Sequence, residues 1–294
     1  YSALGHLRKS LTEILVGNGH SVTVISSNPE KQKHIEMLGA RAAIGSIEDP
    51  HFLRSAFTGA EAAYCMIPPF NFFNPEPGIT AGYRRIAGNY AQAIRQSGIK
   101  RVVHLSSIGA HTDQGTGFLA GHYHAEQILK ELPPDIAITH LRPASFYYNL
   151  YAFADTIKAH GFIASNYGAE DKTPWVSPQD IAEVAAEEIT SPGRRKKIRY
   201  VVSDEPTCNE IAGVLGAAIG RPDLKWLIIS DEQMQSNLEA AGMPAGIAAG
   251  LVEMNAAMHT GALFEDYYRN RPPALGKIKI SGFAKEFAAR FALK

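Results

Sequence analysis

Between Ser21 and Leu141 the chain alternates short apolar or β-branched runs with segments of helical period, and this alternation limits the possible folds more than any other feature. The runs are Ser21 to Ser26, Arg41 to Ile44, Ala62 to Ile67, Arg101 to Ser106 and Ile136 to Leu141. Before and between them lie helical patterns with their own stop and start signals. Leu7, Leu11, Ile14 and Leu15 recur at helical spacing and end at Gly17 and Gly19, while Asn28-Pro29 and Asp49-Pro50 each pair a capping side chain with a proline that begins a helix. Those two helices run to about Gly39 and Gly59. Ile86, Tyr90, Ala93 and Ile94 mark a helix ended by Gly98, and another passes through Glu126 and Leu129. Runs that are apolar on both faces suit strands covered on both sides. Strand and helix in regular succession imply right-handed crossovers and an α/β, doubly wound parallel sheet.

Past about residue 150 the alternation weakens. Ser177-Pro-Gln-Asp180, Thr207-Cys-Asn-Glu210 and Ser230-Asp-Glu-Gln233 each place a cap three residues before an acidic or amide partner, announcing three helices. Two more helical patterns cover about 245–261 and 282–293, and strands are expected at 198–202 and 225–229. The division expected is a nucleotide-binding domain over 1–150 and a smaller, mostly helical substrate lobe over 151–294, with strand 198–202 returning to the main sheet. The chain opens directly on Ser2-Ala-Leu-Gly5-His6-Leu7, so the strand that should precede the first helix is expected to be missing or reduced to a stub.

Charge excludes some partners. Lys and Arg number 29 and Asp and Glu 29, leaving no net field for nucleic acid or an acidic membrane surface. The basic run Arg194 to Lys197 follows Ser191-Pro-Gly193 and reads as a solvated turn. Cys65 and Cys208 fit no metal or redox spacing, which points to a reducing cytoplasm. No apolar run approaches the roughly 18 residues that span a bilayer, and no secretory leader is evident.

In a doubly wound sheet ligands lie beyond the carboxyl ends of the strands. The segments to inspect are therefore 2–8, 26–31, 67–77, 106–122 and 142–149. A dinucleotide needs backbone N–H groups at a helix start with small residues beside them, and Ser2-x-x-Gly5-x-x-Arg8 keeps one glycine there. Gly5, His6 and Leu7 are the pyrophosphate candidates. At the end of the second strand stand Ser26, Ser27 and Asn28, followed by Lys31 and Lys33. Neutral hydrogen-bonding groups backed by lysines favour NADP(H) over NAD(H), although both lysines also suit a solvated helix. The stretch Ile67-Pro68-Pro-Phe70-Asn-Phe72-Phe73-Asn-Pro-Glu-Pro77 is too stiff and aromatic for a plain linker. Ile67 and Pro68 would lie beside the nicotinamide ribose, and Phe70 would wall an aromatic pocket or pack on the small lobe.

Gly5-His-Leu, Ser27-Asn-Pro-Glu-Lys31, Val102-Val-His-Leu-Ser-Ser107, His122-x-x-x-Glu126 and Leu141-Arg-Pro-Ala-Ser-Phe-Tyr-Tyr-Asn149 together resemble the NmrA-like family of atypical short-chain dehydrogenases. Within it, the His-x-x-x-Glu helix looks most like the branch of type 2 NADPH:quinone oxidoreductases and triphenylmethane reductases. The resemblance implies a Rossmann-like domain that binds NADP(H), with a small lobe over the nicotinamide. It also implies one of two roles: reduction of quinones or other conjugated electrophiles, or redox sensing with little or no turnover.

Extended short-chain dehydrogenases carry Tyr-x-x-x-Lys-x-x-x-Glu in the frame occupied here by Phe118, His122 and Glu126. Phe118 has no hydroxyl, so ordinary Tyr/Lys acid-base chemistry is not expected, and epimerase or dehydratase reactions that depend on that tyrosine are disfavoured. A quinone accepts hydride more easily because aromatisation stabilises the product. On this reading His122 polarises or protonates the acceptor and also touches the cofactor, oriented by Glu126 one turn away; the alternative is a surface histidine paired with a glutamate. Ser106, Ser107 and Asn149 position cofactor or substrate. Phe146, Tyr147 and Tyr148 line a flat slot, with at least one of the three in the core, and Trp175 closes the pocket from the small lobe. No metal site is expected. The partner is a small aromatic or quinone-like molecule, and a homodimer stays open.

Overall fold

The computed structural model describes residues 3–74, 78–191 and 196–293, the first four of these by backbone alone. Ser2, the Pro75 to Pro77 end of the aromatic loop, and Arg194 and Arg195 of the basic run lie outside the described residues, as does any strand before the first helix. In chain order the elements are α1 (Ala3–Gly17), β1 (Thr23–Ser26), α2 (Gln32–Met37), β2 (Arg41–Ile44), α3 (Pro50–Phe57), β3 (Ala62–Met66), α4 (Ile79–Ser97) and β4 (Arg101–Leu105). Next come α5 (Ala120–Lys130), β5 (Ala137–Pro143), β6 (Ser145–Phe146), α6 (Ala154–His160), β7 (Phe162–Ser165), β8 (Trp175–Val176), α7 (Pro178–Thr190) and β9 (Lys196–Val201). The chain ends with α8 (Cys208–Ala218), β10 (Lys225–Ile228), α9 (Asp231–Ala240), α10 (Ala245–His259), α11 (Glu265–Arg269) and α12 (Ile280–Ala292).

Strands β3, β4, β5 and β9 form a parallel sheet in that order, and β1 pairs in parallel with β2. Among the described residues no strand joins the two blocks. Successive strand residues serve opposite faces. Val102 and Ile138 join Leu53, Tyr83, Ile86, Ile94 and Leu129 beneath α3, α4 and α5, whereas Val103, Leu105 and Leu141 join Leu7, Leu11, Leu15 and Ile181 beneath α1 and α7. The second of these cores continues through Tyr147 and Trp175 to Phe283 and Phe287 of α12, so residues on both sides of position 150 share it.

Local chemistry sets the helix starts. Asp49 accepts hydrogen bonds from the N–H groups of His51 and Phe52, Ser177 from that of Gln179, and Ser230 from that of Gln233. Thr207 and Glu210 form a reciprocal capping box. One expectation needs correction, and one position needs placing. Helix α1 includes Gly5 in its first turn, at the helix start where the motif was expected, so this position needs no correction. The expected helix from Pro29 to Gly39 divides into a tight 3-10 turn over Pro29–Lys31 and a short α2, because Asn28 caps the turn and Gly39 takes a left-handed φ of 81°.

One close approach ties α10 to the segment leading into α5. Gly117 has φ 56°, and a Cβ there would lie 1.9 Å from the carbonyl oxygen of Gly250 on α10. The segment leading into α5 therefore rests directly on α10, and only glycine fits.

Candidate active site

Helix α5 enters beside the carboxyl end of β4 and packs along α4. Gly121 makes the approach possible, since a Cβ there would meet the Tyr83 ring at 2.4 Å. Gly82 does the same for Phe70, whose ring lies 5.3 Å from that of Tyr83. Tyr83 is held between these contacts and places its hydroxyl 2.9 Å from Nε2 of His122, with ring centroids 4.6 Å apart. One turn earlier, Phe118 packs against Phe72 of the aromatic loop at 5.0 Å. The Phe118 phenyl is thus covered by another phenyl.

The proposed pairing of His122 with Glu126 is corrected by the geometry. Both oxygens of the buried Glu126 carboxylate are taken: Arg142 donates to them from Nε at 2.9 Å and from a terminal nitrogen at 2.8 Å, and the Ser106 hydroxyl donates at 2.7 Å. Arg142 is itself buried and also reaches Tyr200, Asp266 and the carbonyl of Ala110. Burial alone would push the Glu126 carboxyl up, but the Arg142 and Ser106 hydrogen bonds and nearby positive charge hold it below its ordinary value. Glu126 thus serves as an anionic anchor for Arg142.

Burial sets the state of the histidines. It lowers the His122 pKa to about 4, against a weaker opposing pull from Glu126, so the imidazole is neutral at physiological pH. His122 Nδ1 is shut off from solvent and meets no protein partner among the described residues. Beneath α5, on adjacent strands, His104 and His140 share a 3.0 Å contact between their Nδ1 atoms. Desolvation keeps His104 well below its ordinary value and takes His140 to about 4. Two neutral rings then form one N–H to N hydrogen bond, and the Nε2 atoms of both lack a partner.

The remaining expected positions divide into groups. Ser27 and Lys31 are exposed at the end of β1, where the Asn28 side chain caps the turn. Ile67 is buried and Pro68 exposed after β3, and Ser107 is half-buried after β4. Gly5 and His6 contribute backbone at the start of α1, and the His6 side chain is not among those described. Leu7 is buried, so its side chain belongs to the core and only its backbone faces a ligand question. Ser106 is buried and donates its hydroxyl to Glu126. Tyr147 and Trp175 are each 1% exposed and stack on one another, with the Tyr147 hydroxyl donating to the Ile278 carbonyl and the Trp175 indole N–H to Thr173. They are core residues and not walls of a slot, because the chain after β5 turns into β6 and carries them under α12. Phe146 and Tyr148 are half-buried and packed together at 5.1 Å, and Asn149 is exposed.

Tyr83 and Arg142 were not among the expected site residues. Tyr83 continues the buried row of Ile86, Tyr90 and Ile94 by one helical step, and that spacing was the available signal. Among the described residues no group of three or more His, Cys, Asp or Glu is placed to hold a metal. No helix among them is long and apolar enough to cross a membrane.

Backbone amides at the first turn of α1, exposed Ser27 and Lys31 at the end of β1, and an imidazole nitrogen that lacks a partner among the described residues fit a nicotinamide dinucleotide. Comparison with known proteins agrees. The chain is 26% identical over 227 residues, 77% of its length and 74% of the relative's, to an NAD(P)H azoreductase of Xenophilus azovorans. Its fold matches the NADPH-dependent quinone oxidoreductase QOR2 of Escherichia coli, crystallised with NADPH, at TM-score 0.80 and 21% identity, over 97% of this chain and 98% of that one. It also matches the triphenylmethane reductase of a Citrobacter species, complexed with NADP(H), at TM-score 0.76 and 21% identity, over 98% of both chains. A family model described as NAD(P)H-binding matches residues 3–192, and the chain belongs to that family.

Proposed function

We propose that the protein is an NADPH-dependent reductase that passes hydride to a quinone or a similar flat conjugated electrophile. The observation that carries this reading is a pair of residues at the start of α5: a phenyl at 118, in the 3-10 turn that leads into the helix and packed against Phe72, and a neutral imidazole at 122 with a nitrogen that meets no protein partner among the described residues. A site without the phenol suits an acceptor that needs little help with protonation, and the relatives named above act on azo compounds, quinones and triphenylmethane dyes by their descriptions.

The residues that would hold the cofactor are the α1 backbone around Gly5, His6 and Leu7, then Ser27, Asn28 and Lys31, then Ile67, Pro68, Ser107 and His122. Lys31 and the neutral Ser27 support NADPH over NADH, since a 2′-phosphate finds a cation there. The bound nicotinamide supplies the hydride. His122, neutral, acts by donating a hydrogen bond to oxygen and not as an imidazolium acid, and water completes protonation of the reduced acceptor. Phe70, Phe72 and Phe118 give an apolar boundary against which a flat ring is held.

The test is loss of NADPH absorbance with a panel of benzoquinones and naphthoquinones. Turnover is expected, and it should fall about 100-fold in His122→Ala. NADPH binding without turnover on any member of the panel would overturn the reductase reading in favour of a redox-sensing regulator.

A further inference from the structure

Tyr83 and His122 come from different helices and meet through a single hydrogen bond of 2.9 Å. Tyr83 is 8% exposed, and that bond is its hydroxyl's contact among the described residues. The usual partner for a histidine one turn before a glutamate is unavailable, because Arg142 and Ser106 occupy both Glu126 oxygens. His122 has two neutral tautomers. If its proton were on Nε2, that N–H would donate to the phenol oxygen, leaving the phenol hydrogen without an acceptor and the Nδ1 lone pair without a donor. If the proton is on Nδ1, the phenol donates to Nε2 and only the Nδ1 hydrogen is left unpaired. The second arrangement satisfies one more buried polar group, and a buried donor or acceptor without a partner is costly.

We infer that Tyr83 is a positioning residue that locks His122 in the Nδ1–H tautomer and so reserves a buried N–H for an oxygen of the bound nicotinamide nucleotide or of its electron acceptor. The part of this inference that concerns the ligand rests on the reductase reading above. The tautomer itself does not. Gly121 and Gly82 are part of the device, because a side chain at either position would drive into the Tyr83 or Phe70 ring and move the phenol off Nε2.

Long-range proton–nitrogen NMR correlation of the histidine rings at pH 7.5 reads the tautomer directly, with His122 assigned by the spectrum of His122→Gln. The wild-type ring should show a protonated Nδ1 and a bare Nε2. In Tyr83→Phe the preference should be lost, with Nε2 gaining protonated character. NADPH titration of the wild type should shift the Nδ1 resonance, and the Kd should rise about tenfold in Tyr83→Phe, the loss of one well-placed hydrogen bond. A wild-type His122 protonated on Nε2 would overturn the inference, and that measurement stands even if the variant fails to fold. An unchanged His122 signal in folded Tyr83→Phe would overturn it as well. The expected tautomer with no NADPH binding would overturn the ligand half and the reductase reading together, while leaving the lock itself supported.

Discussion

The two faces of the main sheet are built differently. Beneath α1 and α7 the interior is aliphatic and aromatic, with Leu7, Leu11, Leu141 and Ile181 leading to the stack of Tyr147, Trp175 and Phe283, and the polar atoms of that stack are hydrogen-bonded. Beneath α5 lie Glu126, Arg142, Ser106, His104 and His140, with His122 above them, and three imidazole nitrogens there lack partners among the described residues. An apolar face is held by packing and hardly responds to pH. A face holding buried ionisable groups depends on each group keeping its partner and its protonation state, and it is the face available for chemistry. The comparison teaches that aromatic residues close to a strand tip do not by themselves identify a substrate wall, since Tyr147 and Trp175 lie in the core.

Removing one partner of the buried ion pair is the hardest test of this difference. Arg142→Met leaves the Glu126 carboxylate buried and uncompensated, and should cost about 3–5 kcal/mol in denaturant unfolding. A loss below about 1 kcal/mol would mean that the α5 face is not organised by this pair.

Acid titration should affect the same face next. His122 and His140 titrate near 4 in the folded protein, against about 6.5 when unfolded. Between those values the unfolded chain binds more protons, so stability rises with pH there. It is complete above about 6.5, falls by roughly 3 kcal/mol per histidine as pH drops toward 4, and receives no further loss from these groups below that. Replacing His140 with Gln should remove its share of the slope in a series of unfolding curves across this range.

Smaller effects distinguish two serine and tyrosine hydroxyls. Ser106→Ala removes a donor to a buried carboxylate and should lower stability by about 2 kcal/mol while leaving the NADPH Kd within about twofold. A large loss of NADPH affinity would return Ser106 to the cofactor contacts. On the opposite face, Tyr147→Phe removes only the hydrogen bond to the Ile278 carbonyl, costs about 1 kcal/mol, and should leave reductase turnover unchanged.

Much of the fold was readable from the chain. Runs such as Val102-Val-His-Leu105 are buried on both faces and sit where their composition suggests, and the caps at Asp49, Ser177 and Thr207 are local arrangements of a few residues. What could not be read depends on contacts distant in sequence. His122 meets Tyr83 across 39 positions, and Glu126 meets Arg142 across 16, so the local His-x-x-x-Glu spacing suggested a pairing that a stronger cation had already claimed. Tyr147 and Trp175 were misplaced for a related reason: composition marks an aromatic residue, but only the path of the chain after β5 determines whether it faces a ligand or α12.

Single-turnover oxidation of bound NADPH by a naphthoquinone, followed by stopped-flow in wild type, His122→Ala and Tyr147→Phe, tests the division of labour between the two faces most directly. The account predicts that the rate falls about 100-fold in His122→Ala and is unchanged in Tyr147→Phe. Equal rates in wild type and His122→Ala, or a loss confined to Tyr147→Phe, would contradict it.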